Sequence, residues 1–384
     1  MRQSVIISWV QKNREKDMSN KNLTPEEKKA RSKKTLRVIL IILGAFLVAS
    51  GIIVVVMIRH LHYDIQPHEF YDIETLQAEG RSYNGVSDVY FTHDVSPEGL
   101  MRAYQALGVQ PEGKVAFKLS TGEGTDTLYL SPDLIKDLVQ SMDGNIVECN
   151  TAYKGTRLQT EMHMQTAQEH GFTDIAEVDI MDRDGYMVIP VEGGTHLTEN
   201  WVGKNLADYD YVITLTHFKG HMMAGFGGAL KNISIGIASS DGKMRIHSAG
   251  LLNNHIFIDP GCEITNQDDF TESMAEAAKS VYDYENHGEN IIFINVLNNL
   301  SVDCDCDPNP HAPEMEDIGI MASFDPVAID QASVDRIFAT TEGSASLQER
   351  ILSKNGLNIL KHGEEIGLGN RAYRLIDIDE DTAE

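Results

Sequence analysis

Tyr211-Val-Ile-Thr-Leu-Thr-His-Phe-Lys-Gly-His-Met-Met-Ala-Gly-Phe-Gly-Gly-Ala-Leu-Lys231 is the stretch that decides the reading. Its first half, Tyr211 to Thr216, alternates apolar and β-branched residues as a strand does. Its second half carries four glycines, His217, His221, Lys219 and Lys231. Ligands in open α/β sheets bind beyond the carboxyl ends of strands, and this run lies there. Glycines permit close approach of the backbone, while histidine and lysine supply proton-transfer, metal-ligating and anion-binding groups. The expectation is a ligand or metal pocket: His221 and His217 as catalytic residues, Lys231, Gly225, Gly227 and Gly228 as cofactor-binding residues.

Outward from this stretch the same alternation recurs. Val115 to Leu119 and Asn145 to Asn150 read as strands, and Ser131-Pro132-Asp133 opens a helix with Ser as N-cap and Pro at its first position. Thr160 to His170 and Phe270 to Tyr284 read as helices. Ile291 to Leu297 is a continuous apolar run, as a strand covered on both faces requires. Ile318 to Ala322 reads as a further strand, followed by a helix capped at Asp325-Pro326. Strands alternating with helices predict an α/β fold, a mostly parallel sheet flanked by helices.

The N-terminus reads differently. Val38 to Ile58 is 21 residues without a charge, about 31 Å as a helix and close to the thickness of a bilayer core. Residues 1–37 carry 11 Lys/Arg against 4 Asp/Glu. The positive-inside rule then predicts one N-terminal transmembrane helix with its N-terminus cytoplasmic and the main domain outside, a single-pass protein of the cell membrane. The expected organisation is a basic tail over 1–37, the span over 38–58, a stalk or lead-in over 59–85 and an α/β domain over 86–384. Net charge is −26, but with +7 in the tail and Arg59 beyond the span, the body carries −34. Such a body repels nucleic acid.

Further loops carry chemistry. Ser120 to Thr125 and Asn150 to Arg157 both follow strands, making Thr121, Lys154 and Arg157 anion contacts at the same sheet edge. Asp303-Cys-Asp-Cys-Asp-Pro-Asn-Pro-His-Ala-Pro-Glu314 has calcium-loop spacing, but Pro308 stands where such a loop needs glycine. Cys304 and Cys306, with His247, are instead the metal-ligand candidates. Neither nucleotide signature is satisfied: Gly225-Phe-Gly-Gly228 does not continue as G-x-G-x-x-G, and Asn232 follows Lys231 where a P-loop has Ser or Thr. Ser240-Asp241-Gly242 reads as a turn. The pairing of the four cysteines is open.

These segments together resemble the family called domain of unknown function 362. The resemblance rests on Asn150–Arg157, Gln168-Glu-His-Gly-Phe172, Thr216–Asn232, Asp303-Cys-Asp-Cys306, Asp317 to Asp335 and His362-Gly-Glu-Glu-Ile-Gly-Leu-Gly-Asn370. Members of that family often carry a ferredoxin-like Cys-x-x-Cys-x-x-Cys insert between the positions of His247 and Phe270. Only Cys262 stands there, so the resemblance does not bring a 4Fe–4S cluster with it. The pattern His221, Gly225-Phe-Gly-Gly228, Lys231, His247 is also similar to the nickel-pincer lactate racemase family. That resemblance implies an acid/base role for His221, covalent attachment of a cofactor for Lys231 and nickel ligation for His247. The racemases' second acid/base histidine has no counterpart near Tyr153-Lys154. Two functions follow as expectations: an enzyme on small organic acids using a transition metal, or a non-catalytic extracellular module binding a solute or cofactor.

Overall fold

The computed structural model describes residues 24, 44, 65–124, 128–252 and 265–379. Residues 1–62 and 63–384 form separate units. The span expected at 38–58 lies outside the described residues apart from Gly44. Among the described residues no helix is long and apolar enough to cross a membrane.

The larger unit is an α/β fold. Its strands are β1 (Ser87–Thr92), β2 (Val115–Lys118), β3 (Asn145–Glu148), β4 (Val178–Ile180), β5 (Tyr186–Pro190), β6 (Glu199–Gly203), β7 (Tyr211–His217), β8 (Lys219–His221), β9 (Gly225–Gly227), β10 (Ile291–Leu297), β11 (Gly319–Ser323) and β12 (Tyr373–Asp377). Eight of them form one sheet in the order β12-β1-β11-β10-β7-β2-β3-β4. Only β11 runs against the rest: it pairs antiparallel with both β1 and β10, and the other neighbours are parallel. The expected mostly parallel sheet is therefore present, with helices on both faces.

Each face has its own core. Within β10, Ile291, Phe293 and Leu297 pack into one cluster, while Ile292, Ile294 and Val296 pack into the other. Alternation carries no polar face here because both faces are covered. The cap signals act as read. Ser131 Oγ accepts from Asp133 N at 3.2 Å, and Asp325 Oδ1 accepts from Val327 N at 2.8 Å and Ala328 N at 3.0 Å.

Two local expectations are corrected. Ser240-Asp241-Gly242, expected as a turn, instead opens the helix Ser240–His247, because Ser239, one residue earlier, is the N-cap and accepts from Gly242 N. The stretch after β7 is not an open glycine loop: Lys219–His221 and Gly225–Gly227 pair as the hairpin β8–β9. The lead-in at 59–85 also holds regular structure, a helix at Ile73–Glu79, and it is tied to the sheet domain by His68 and Tyr71 N, both bonded to Asp335 at 2.9 Å.

Candidate functional site

Four parallel strands, β3, β2, β7 and β10, end on the same side of the sheet. The loops that follow them enclose a cavity of about 590 Å³. Of the expected site residues, His217, His221, Lys231, His247, Cys304, Cys306, Lys154, Arg157, Gly227 and Gly228 line it. Gly225 does not.

The glycines are explained by packing rather than by ligand approach. Gly225 has φ +80°, and a Cβ there would lie 3.0 Å from Gly356 Cα and from Ile351 O. A Cβ on Gly228 would meet the Asp330 carboxylate at 2.3 Å. Asp330 cannot retreat, because it accepts from Ala229 N (2.7 Å), Leu230 N (2.9 Å) and Asn295 Nδ2 (2.9 Å). Only Gly227, whose nearest neighbours are the stems of Lys231 and Lys219 at 3.7 and 3.8 Å, leaves room on the cavity side.

Two of the three cavity imidazoles, His221 and His247, have opposite polarity. His221 Nδ1 accepts from Ala224 N at 2.9 Å and Met223 N at 3.2 Å, so the proton of the neutral ring sits on Nε2. Burial, and then Lys231, His247, Lys219 and Arg350, hold this ring well below the usual histidine range. His247 Nδ1 donates to Lys243 O at 2.7 Å, which leaves its Nε2 bare. Burial brings His247 down to about 4, with Lys231 and Lys243 adding to the effect against the Lys243 carbonyl. Both rings are neutral at pH 7: one presents a donor, the other an acceptor.

The Cys304–Cys306 turn also lines the cavity. Cys304 Sγ accepts from Cys306 N at 3.4 Å and lies 3.9 Å from Lys231 Nζ. The Cys306 thiol, hydrogen-bonded to it, brings Cys304 down to about 5 against the effect of burial, helped by Lys231 and Lys219. Cys306 moves up in turn, so the two sulfurs share one proton. A ring nitrogen of His221 and both sulfurs lie within 4.8 Å of one another. Proximity thus puts His221 beside the cysteines, whereas the metal-ligand set read from the sequence had His247 there. His247 lines the cavity but stands outside that group.

Between the cysteines, Asp305 turns away from the cavity chemistry. Its carboxylate takes His217 Nδ1 at 2.9 Å and the Lys219 ammonium. Burial would raise this carboxyl, but Lys219 and His217 outweigh it and bring it to about 2. His217 Nε2 meets Asn298 O at 2.7 Å, so both ring nitrogens of His217 are engaged in holding this loop. Arg157 is likewise committed: its guanidinium reaches Glu123 at 3.2 Å and Glu148 at 3.1 Å, and donates to Ser120 Oγ and Tyr153 OH. Glu148 also receives His163 Nε2 at 2.8 Å and Thr121 N at 3.0 Å. Arg157 and Thr121 therefore brace the wall.

Two cavity residues were not among the expected ones. Lys118 ends β2 at 1% exposure, and Lys243 sits at 7% exposure on the helix Ser240–His247. A lysine closing an otherwise apolar buried strand was the signal for the first. Reading Ser240-Asp241-Gly242 as a turn hid the helix that carries the second.

Residues 115–335 match the family model described as domain of unknown function (DUF362). The chain belongs to the DUF362 family. The match runs from β2 into the helix Pro326–Ala339 and contains every residue that lines the cavity. The position of the family's cysteine-rich insert, with Cys262, lies outside the described residues. A search of curated proteins finds no match. Among solved structures, the chain is similar to the lactate racemase apoprotein from Thermoanaerobacterium thermosaccharolyticum, with 15% identity, 55% of this chain and 50% of that chain covered, and a TM-score of 0.35. It is also similar to a Thermotoga maritima protein, with 13% identity, 70% and 58% covered, and a TM-score of 0.35. The chain thus spans about half the length of the racemase it matches.

Proposed function

We propose that this DUF362 chain binds a small organic acid in the cavity beside a transition metal, and acts on it as an enzyme. One observation carries the reading. Lys118, Lys231 and Lys243 all line the cavity, and their hydrogen-bond partners are carbonyl and amide oxygens and the Cys304 sulfur, not carboxylates. Buried cations are ordinarily paired. Lys219 and Arg157, on the same cavity, have buried carboxylate partners. Lys118 and Lys243, buried without a carboxylate and facing a hollow beside Lys231, are the arrangement an anionic ligand completes.

The neutral imidazoles supply the chemistry. His221 offers Nε2–H to a developing negative charge. His247, with bare Nε2 and its Nδ1–H anchored on a carbonyl, has the tautomer that metal-bound histidines use, and the Cys304–Cys306 pair supplies soft ligands. Such a metal would polarise an oxygen of the acid. A non-catalytic receptor is the second reading. The observation favouring it is that both His217 nitrogens are held, which leaves proton transfer to His221 and His247 alone.

Isothermal titration of the full chain with lactate tests the acid site. Lysine-to-carboxylate contacts contribute about 1.5–3 kcal/mol each, so Lys231→Met should weaken binding roughly ten- to a hundredfold. Absence of lactate binding in the unaltered chain, or equal affinity in the variant, sinks the reading.

We further propose that residues 38–58 anchor the chain with the cavity domain outside. Leu251 is 73% exposed. Leu251→Cys should react with a membrane-impermeant maleimide on intact cells; reaction only after lysis contradicts this topology.

A further inference from the structure

Lys118 stands apart from the other cavity lysines. It is the last residue of a central strand, paired in register with Val147 on one side and Thr214 on the other. Its Nζ donates to Leu119 O at 2.7 Å and to Asn232 Oδ1 at 3.0 Å. Asn232 is itself fixed, because its Nδ2 donates to Lys118 O (3.1 Å) and Thr216 Oγ1 (3.0 Å). The space for the amine depends on a bare backbone: a Cβ on Gly236 would lie 2.8 Å from Lys118 Nζ. Two of the three substituent positions on nitrogen are thus tied to acceptors in a rigid frame. The third is left for the cavity that the side chain lines.

We infer that Lys118 is a nucleophilic amine that forms an imine with a small 2-oxo acid held in this cavity. The inference rests on the acid-binding reading above and names the ligand class. A 2-oxo acid carries a carbonyl next to a carboxylate. The carboxylate is matched by Lys231 and Lys243, which line the same cavity, and the carbonyl carbon by Lys118. In the step, the amine nitrogen bonds to the carbonyl carbon and the carbon–oxygen double bond opens. The oxygen then leaves as water with the two amine protons. No oxidant or reductant is consumed.

The protonation state is compatible. Burial brings Lys118 down to about 8, although Glu148 and Cys149 act in the opposite direction; Lys243 and Arg157 add to the lowering. At pH 7 roughly one such amine in ten is unprotonated, against fewer than one in a thousand for an ordinary lysine. Desolvation is how lysines are made nucleophilic near neutral pH.

The test is borohydride trapping on the full chain with pyruvate as probe, read by intact mass and peptide mapping. The expected result is one reduced pyruvyl adduct, on the peptide containing Lys118, with the trapping rate half-maximal near pH 8. The mapping is read on the unaltered chain, so it does not depend on a variant that folds. Lys118→Met should then abolish the adduct. No adduct, or one spread over exposed lysines, overturns the inference. Lactate binding without pyruvate trapping overturns the imine and leaves the acid site standing. Failure of both removes the acid site as well.

Discussion

Replacing Asp305 with alanine should cost about 3–5 kcal/mol of stability, the penalty typical of removing one partner from a buried ion pair. Asp305 is 2% exposed and holds two groups, the Lys219 ammonium and His217 Nδ1. Without it, Lys219, itself 5% exposed, becomes a buried cation with no carboxylate. His217 then keeps only its bond to Asn298 O, and the turn bearing Cys304 and Cys306 loses its anchor. Urea unfolding of the full chain in detergent measures the loss as a lower midpoint. A loss under about 1 kcal/mol would show that the network is decorative.

The same carboxylate fixes a pH dependence. Its folded value of about 2 lies below its ordinary 3.8. A depressed carboxyl stabilises the fold fully above the unfolded value, and the contribution disappears as pH falls through the folded one. The unaltered chain should therefore lose stability from about pH 4 toward pH 2, and Asp305→Ala should lose less over that interval.

What the sequence made legible was whatever is decided locally. Ser131 and Asp325 announce their helices because an N-cap is a bond between residues two or three apart. Ile291–Leu297 announces a doubly covered strand because its apolarity is continuous. The strand end near Thr216 pointed to a pocket because loops after parallel strands share one edge, and His221, Lys231 and His247 do reach one cavity.

What stayed hidden was decided by partners far away. Arg157 reads as an anion contact until Glu123 and Glu148, 34 and 9 residues distant, take its guanidinium. His217 reads as a proton donor until Asp305, 88 residues on, and Asn298 occupy its ring. Gly228 reads as ligand-facing until Asp330 fills the space beside it. The Ser323–Asp335 motif proves largely structural for the same reason: Asp325 caps a helix and takes Ser87 and Asn370 N, Asp330 holds the turn at Gly228, and Asp335 holds His68, Tyr71 and Tyr373.

Metal binding is the second large effect, and it turns on a contrast between proximity and tautomer. His221 is the imidazole near Cys304 and Cys306, yet Met223 and Ala224 amides occupy its Nδ1, so Nε2 keeps its proton. His247 lies outside that group, yet its Nε2 is bare. A ligand must be deprotonated to bind, so our proposal gives the metal to His247 with the two cysteine sulfurs, against proximity, and the proton to His221. Elemental analysis of the full chain and its variants tests this most directly. The account predicts about one equivalent of a transition metal, lost in His247→Ala and in Cys304→Ser and kept in His221→Ala. A metal-free chain contradicts it, as does metal lost from His221→Ala but retained by His247→Ala.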